Sequence, residues 1–251
     1  MKEKVVGIIL AAGKGTRMNS INSNKVSHLF LGKPIILYGV ELFEKVCDEL
    51  IIVIGAFKQS IKQIIDGKRK IKYAYQKKRL GTGHAVKIAL LELQNNPPSL
   101  VLIGMGDHMM FYKQETIKKL INQHKEQKSV LSFISTKYHD PSALALGRVV
   151  RDKSGNVLDI VEHKDATEKQ KEIKELNSAL YCFDFNFLKE NINKIKKSQV
   201  TGEYYLPDLI KIAIQKKLKV HAMIVHFREI GIGINRYEEL EESQSLYKKL
   251  R

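Results

Sequence analysis

Cysteine is scarce in this chain, with two in 251 residues. Cys47 and Cys182 stand far apart, each in an apolar context. Neither a disulfide framework nor metal-ligand spacing is present, so buried free thiols in a reducing cytoplasm are the expectation. Long hydrophobic runs are also missing, since no apolar stretch approaches the ~18 residues that would argue a membrane span. The start "MKEKVVGIILAAGKG" has charge followed by a brief apolar run, but it passes into glycines where a cleavage site would be needed. It reads as a strand and not as a signal peptide. Repeats, low-complexity tracts and linkers are absent too, which points to a single domain over 1–251 with an elaborated C-terminal half.

Acidic residues are outnumbered, 27 against 43 basic ones, for a formal charge of +16. Such a balance suits nucleic acid, a membrane surface or small polyanions. The lysines, however, fall in "KKLINQHKEQK", "EKQKEIK", "NINKIKK" and "QKKLK", mixed with acids or at helical spacing and without interleaved aromatics. Solvated helix faces are the first reading, attraction of small anions the second, and neither nucleic acid nor membrane is expected as a partner.

Short apolar runs alternate with amphipathic patterns in the first half. "KVVGIILAA", "ELIIVIGA", "IKYAYQ", "SLVLIGM" and "SVLSFIST" predict buried strands. "IILYGVELFEKV", "SIKQIID", "TGHAVKIALLELQ" and "QETIKKLINQHKEQ" predict helices. This alternation implies an α/β fold, a Rossmann-like, mostly parallel sheet with helices on both faces. The second half is richer in β: "GRVVRDKSGNVLDIVEH" reads as two strands across a Lys-Ser-Gly-Asn turn, and "ELNSALYCFD" as another. Helices over "FNFLKENINKI" and "YYLPDLIKIAIQKK", a strand near 218–226 and a helix from about 237 complete the expectation.

The stretch "LAAGKGTRMNSINSNKV", residues 10–26, has the look of a phosphate-binding loop. It fails the P-loop pattern, because five places before Gly13 stands Ile8, and Gly15 instead of Ser or Thr follows Lys14. It also fails the dinucleotide fingerprint, whose third glycine is Met18 here. What remains is a strand end where Gly13 and Gly15 let backbone N–H groups approach an anion. Arg17 offers a multi-donor fork and Lys25 a point charge.

"LAAGKGTRM" followed by Lys-Val and "LGKP" resembles the signature of the sugar-1-phosphate nucleotidyltransferases. "QKKRLGTGHAV" and the stretch from "GRVVRDKSGNVLDIVEH" to "ELNSALYCFD" bring it closest to the uridyltransferase domains of bifunctional N-acetylglucosamine-1-phosphate enzymes. "TGEYYLPDLI" and "GINRYEEL" extend the resemblance over about 5–240.

The resemblance implies formation of a UDP-sugar and pyrophosphate from UTP and a sugar 1-phosphate, N-acetylglucosamine 1-phosphate foremost, with Mg²⁺. About 1–135 would form the nucleotide-binding half and about 136–251 the sugar-binding, closing half. Leu10, Ala11, Ala12 and Gly13 would border the nucleotide, with Arg17 and Lys25 on its phosphates. Gln76, Gly81 and Thr82 would read the base, since an amide offers both a donor and an acceptor. His84 is expected to pack or cap and not to act as a base. Asp107, just beyond "LVLIG", suits a magnesium ion in the crevice at parallel strand ends, and Asn235 of "GIN" would be its second protein ligand. Gly147, Glu162 and Asn177 would hold the sugar.

Three departures stand out: Asn24 where the family has Pro, "DHMMF" in place of Asp-x-Pro-Leu, and Asn177-Ser178-Ala179 in place of Asn-Thr-Gly. They leave open another sugar or alditol phosphate, another nucleotide, or a catalytically silent nucleotide-sugar-binding module. No hexapeptide repeats are present, so uridylyl transfer without acetylation is the expectation.

Overall fold

The computed structural model describes residues 3–13, 15, 18, 24–65, 67 and 71–250. Strands run in chain order as β1 (Val5–Ala11), β2 (Leu29–Phe30), β3 (Lys33–Pro34), β4 (Glu49–Ile54), β5 (Ile71–Tyr75) and β6 (Leu100–Met105). They continue as β7 (Leu131–Lys137), β8 (Gly147–Arg151), β9 (Val157–Val161), β10 (Glu175–Asp184) and β11 (Val220–Val225). Helices are α1 (Ile35–Glu44), α2 (Lys58–Ile65), α3 (Thr82–Ala89), α4 (Gln114–Glu126) and α5 (Glu168–Lys171). After these come α6 (Phe185–Asn191), α7 (Asp208–Gln215), α8 (Phe227–Ile230) and α9 (Tyr237–Lys249).

One sheet carries all but β2 and β3, in the order β11-β7-β10-β6-β1-β4-β5, with β8 added to β10 and β9 to β8. β5, β4, β1 and β6 are mutually parallel, as are β7 and β11, whereas β10 runs antiparallel to both β6 and β7. The fold is therefore the expected mostly parallel α/β sheet. β1 explains the layering: Val6 and Ile8 enter one core, Val5, Ile9 and Ala11 the other. Period two with both faces covered is what a run like "VVGIILA" supports, each buried Ile or Val contributing roughly 1.5–3 kcal/mol. α1 closes one face through Ile35, Ile36, Val40 and Phe43; α3 closes the other through Ala85, Val86 and Ala89. On α4, Ile117, Leu120 and Ile121 are buried while Lys118, Lys119 and Lys125 face out, the solvated stripe that the lysine spacing implied.

β10 changes neighbours along its length. Leu176 and Asn177 pair with β8, whereas Tyr181 to Asp184 pair with β6, and the register on β7 breaks between Asn177 and Tyr181. Ala179 sits in that break with φ +57°. Left-handed backbone costs a residue with a Cβ about 1–2 kcal/mol, so Ala179→Gly is expected to stabilise the fold by about 1 kcal/mol despite the added chain entropy. Thermal unfolding should show a midpoint higher by about 2–4 °C; an unchanged or lower midpoint would contradict this strain.

The direction of progression reverses at β1, which lies between β4 and β6. In open α/β sheets the crevice at such a point, beyond the carboxyl ends of the strands, is where ligands bind.

Candidate active site

A cavity of about 450 Å³ opens there. Leu10, Ala11, Ala12 and Gly13 at the end of β1 form one wall. Gln76, Gly81 and Thr82 form a second, and Lys25, Asp107 and Asn235 a third. Every residue expected at the nucleotide or metal thus lines one space, except Arg17, which lies outside the described residues.

Two devices shape the first wall. Gly15 has φ +67°, and a Cβ on it would stand 2.9 Å from Lys25 Cβ, so the loop closes onto that lysine only with glycine there. Asn24, 1% exposed, does the rest. Its Nδ2 lies 3.1 Å from the Ala11 carbonyl, 2.9 Å from Gly13 and 3.1 Å from Ala56, and its Oδ1 accepts from Val26 N at 3.2 Å. Asn24 thereby caps the 3-10 turn Lys25–Ser27 and ties it to the end of β1. The departure from Pro is a polar staple. Asn24→Ala removes the donor shared by the buried Ala11 carbonyl and its Gly13 and Ala56 neighbours and is expected to cost about 2 kcal/mol in urea denaturation, with a lowered kcat because Lys25 loses its support. A loss under about 0.5 kcal/mol would contradict that role.

The second wall is the turn between β5 and α3. Gly81 has φ +97°, and a Cβ on it would lie 2.5 Å from the Tyr204 carbonyl. The "TGEYYLPDL" segment straps this turn: Tyr204 N donates to Leu80 O and Gly83 N to Tyr204 O, both at 2.8 Å. Leu206 N adds a bond to Thr82 Oγ1 at 2.9 Å. Gln76, 4% exposed, directs its Nε2 to Gly81 O at 3.2 Å and to His84 Nδ1 at 2.9 Å. Its donor capacity is used inside the protein, which revises the expectation that the amide offers both a donor and an acceptor to a base. Its acceptor oxygen is what remains.

On the third wall Lys25 Nζ forms an ion pair with Asp107 Oδ2 and donates to Asn235 Oδ1 at 2.9 Å. The "GIGIN" loop reaches the segment just after β6 through Ile234 N, which donates to Asp107 O at 3.0 Å, and through buried His108, whose Nε2 lies 3.2 Å from Gly231 O. The Glu239 carboxylate accepts from Asn235 N and from Arg236 N, the latter at 3.0 Å. Two hard oxygen donors therefore surround one cation position. Among the described residues no group of three or more His, Cys, Asp or Glu could hold a metal ion. A two-donor site fits Mg²⁺, which keeps several waters and takes phosphate oxygens, better than a metal that needs a closed protein cage.

The sugar-side expectations lie apart from this cavity's lining. Gly147 pairs with Asn177 across β8 and β10, and Glu162 follows Val161, the β9 partner of Arg148. Burial, with like charge from Asp208, Asp165 and Glu203, pushes the Glu162 carboxyl up to about 7 against the pull of Arg148. Glu203, one of the like charges that act on Glu162, itself lines the cavity. Asn177 is already engaged at both amide atoms: Nδ2 donates to the Tyr181 hydroxyl at 2.6 Å and Oδ1 accepts from Ala179 N at 3.0 Å.

Sequence reasoning missed Asn24, Arg79, Met105 and Glu203, all on the cavity lining. Asn before Lys-Val-Ser is a helix-cap signal and could have been found. Arg79 was hidden in the basic run "KKR", where charge reads as solvated surface.

The sequence pattern described as nucleotidyl transferase matches residues 6–229. The chain belongs to this family. Among curated relatives, the bifunctional protein GlmU of Thermoanaerobacter pseudethanolicus is 40% identical over 250 residues, covering 98% of this chain and 52% of the relative. That of Caldicellulosiruptor saccharolyticus is 39% identical over 254 residues, covering 100% of this chain and 53% of the relative. The chain spans about half the length of these relatives. Among solved structures, a Bacillus anthracis protein assigned as a glucose-1-phosphate thymidylyltransferase, in complex with a sucrose, superposes with a TM-score of 0.78 at 17% identity. The match covers 98% of this chain and 96% of that one and shows that the two share a fold. No helix among the described residues is long and apolar enough to cross a membrane.

Proposed function

We propose that this nucleotidyltransferase family member makes UDP-N-acetylglucosamine and pyrophosphate from UTP and N-acetylglucosamine 1-phosphate, in the cytoplasm and with Mg²⁺. The observation that carries the reading is the convergence of Lys25, Asp107 and Asn235 in the same cavity as the β1 loop and the Gln76–Thr82 turn. The relatives named GlmU support the choice of substrates.

In the reaction a phosphate oxygen of the sugar phosphate attacks the α-phosphorus of UTP. A new P–O bond forms there while the bond to the bridging oxygen breaks, and pyrophosphate leaves with the electron pair. No side-chain nucleophile is required, so the chain's work is to orient both substrates and stabilise spreading charge. Lys25 supplies a fixed cation, and Arg17 would bring a second positive charge. Leu10 to Gly13 border the nucleotide, and Gln76, Gly81 and Thr82 face its base. Asp107 and Asn235 would hold the magnesium ion, whose positive charge would neutralise phosphate oxygens. Gly147 and Glu162 take the sugar side. Asn177 contributes only the hydrogen-bonding capacity that Tyr181 and Ala179 leave. Burial raises the Glu162 carboxyl, whose protonated form would donate to a sugar hydroxyl and whose carboxylate would accept from one.

A matrix of four nucleoside triphosphates against several sugar phosphates, read by pyrophosphate release, tests this proposal. UTP with N-acetylglucosamine 1-phosphate is expected to turn over fastest. Equal turnover with CTP would contradict the base assignment.

A further inference from the structure

His84 has no part in the transfer described above, yet its ring touches the residue that faces the base. The Gly81 carbonyl can only accept, so the Gln76 amide atom 3.2 Å from it must be the nitrogen. That nitrogen is also 2.9 Å from His84 Nδ1. Its two hydrogens then serve Gly81 and His84, and Nδ1 must carry a lone pair. Burial of the ring, with Lys87 adding like charge, lowers the His84 pKa, in the same direction as a lone pair on Nδ1 requires. Gln76 is therefore pinned with its oxygen as the one group left for the cavity it lines.

We propose that His84 is a specificity-positioning residue: by accepting from Gln76 Nε2 it fixes Gln76 Oε1 as a lone acceptor, which selects a pyrimidine carrying a proton on N3. The inference rests on the nucleotide-binding reading of the cavity. Uracil and thymine offer an N3–H donor, whereas cytosine presents a lone pair there and would meet oxygen against nitrogen lone pair. A Gln76 amide without its second anchor can rotate and place an N–H toward the base, which would admit cytosine. The Gln76 and His84 pair thus separates uracil from cytosine and is blind to the methyl group that separates uracil from thymine.

Calorimetric binding of UTP, CTP and N3-methyl-UTP to wild type, His84→Asn and His84→Leu tests the proposal, with the KM for sugar phosphate measured alongside. Asn offers an acceptor oxygen near the position of Nδ1; Leu fills similar space without one. Wild type and His84→Asn are expected to prefer UTP strongly. In His84→Leu the ratio of CTP to UTP dissociation constants should fall by about tenfold, the equivalent of one lost hydrogen bond, with KM for sugar phosphate unchanged. An unchanged ratio in folded His84→Leu, or an equal loss in His84→Asn and His84→Leu, overturns the proposal. A wild type without preference for UTP over CTP overturns the base assignment itself, a separable result. Should His84→Leu fail to fold, ¹⁵N-histidine spectra of the wild type decide the matter, with the His84 signal identified by its loss in His84→Asn. A neutral ring protonated on Nε2 supports the proposal, and protonation on Nδ1 refutes it.

Discussion

Lys25→Ala is expected to lower kcat by about 10² to 10³ at saturating UTP while leaving the KM for sugar phosphate within about threefold of wild type, the pattern of a group that acts mainly on the transition state. Lys25 is held before substrate arrives: the Asn24 cap fixes its backbone, Gly15 packs on its Cβ, and Asp107 and Asn235 receive its ammonium. With Mg²⁺ on the Asp107 and Asn235 oxygens the ammonium would be released to the phosphates, and a cation already held in the site stabilises departing pyrophosphate at little cost in reorganisation. Its removal also leaves the Asp107 carboxylate without its partner, which adds a further disturbance at the same spot. Steady-state kinetics with circular dichroism as a folding control would check the expectation, and a kcat close to wild type would show the β1 loop to be a structural turn.

Asp107→Asn is expected to do comparable damage by another route. A neutral amide binds Mg²⁺ weakly, so activity should be low at ordinary Mg²⁺ and partly restored as Mg²⁺ is raised. Lys25→Ala should show no such recovery, because extra metal does not replace a fixed ammonium. Titrating both variants with Mg²⁺ therefore separates metal holding from electrostatic positioning. Equal recovery in both, or in neither, would contradict the division of labour between the two side chains.

Strands β1, β4 and β6 were legible because each is buried on both faces and written in Val, Ile and Leu, whereas β5, expected as a buried strand, is a sheet edge with Lys72 and Tyr75 exposed. β1 falls within the predicted "KVVGIILAA" and β4 within "ELIIVIGA". The place of β10 was not legible. Its insertion between β6 and β7, antiparallel to both, joins segments about 80 and 50 residues away in the chain, and periodicity carries no information on such pairing. α5 was missed because four polar residues cannot show a helical period, although its Thr167 to Gln170 capping box was a readable mark. α7 begins at Asp208 and not at Tyr204, because 204–206 is drawn out to strap the Gln76–Thr82 turn. Of the site, glycines and charges at strand ends were legible. The commitment of Asn177 to Tyr181 and of the Gln76 amide to His84 was not, since it depends on contacts that only the folded chain makes.

The most direct measurement of the central claim is a ³¹P NMR time course of the wild-type protein with UTP, N-acetylglucosamine 1-phosphate and Mg²⁺. The account predicts equal amounts of UDP-N-acetylglucosamine and pyrophosphate, formed together and only when both substrates are present. UTP left intact beside the sugar phosphate, or pyrophosphate released without a matching nucleotide sugar, would contradict it.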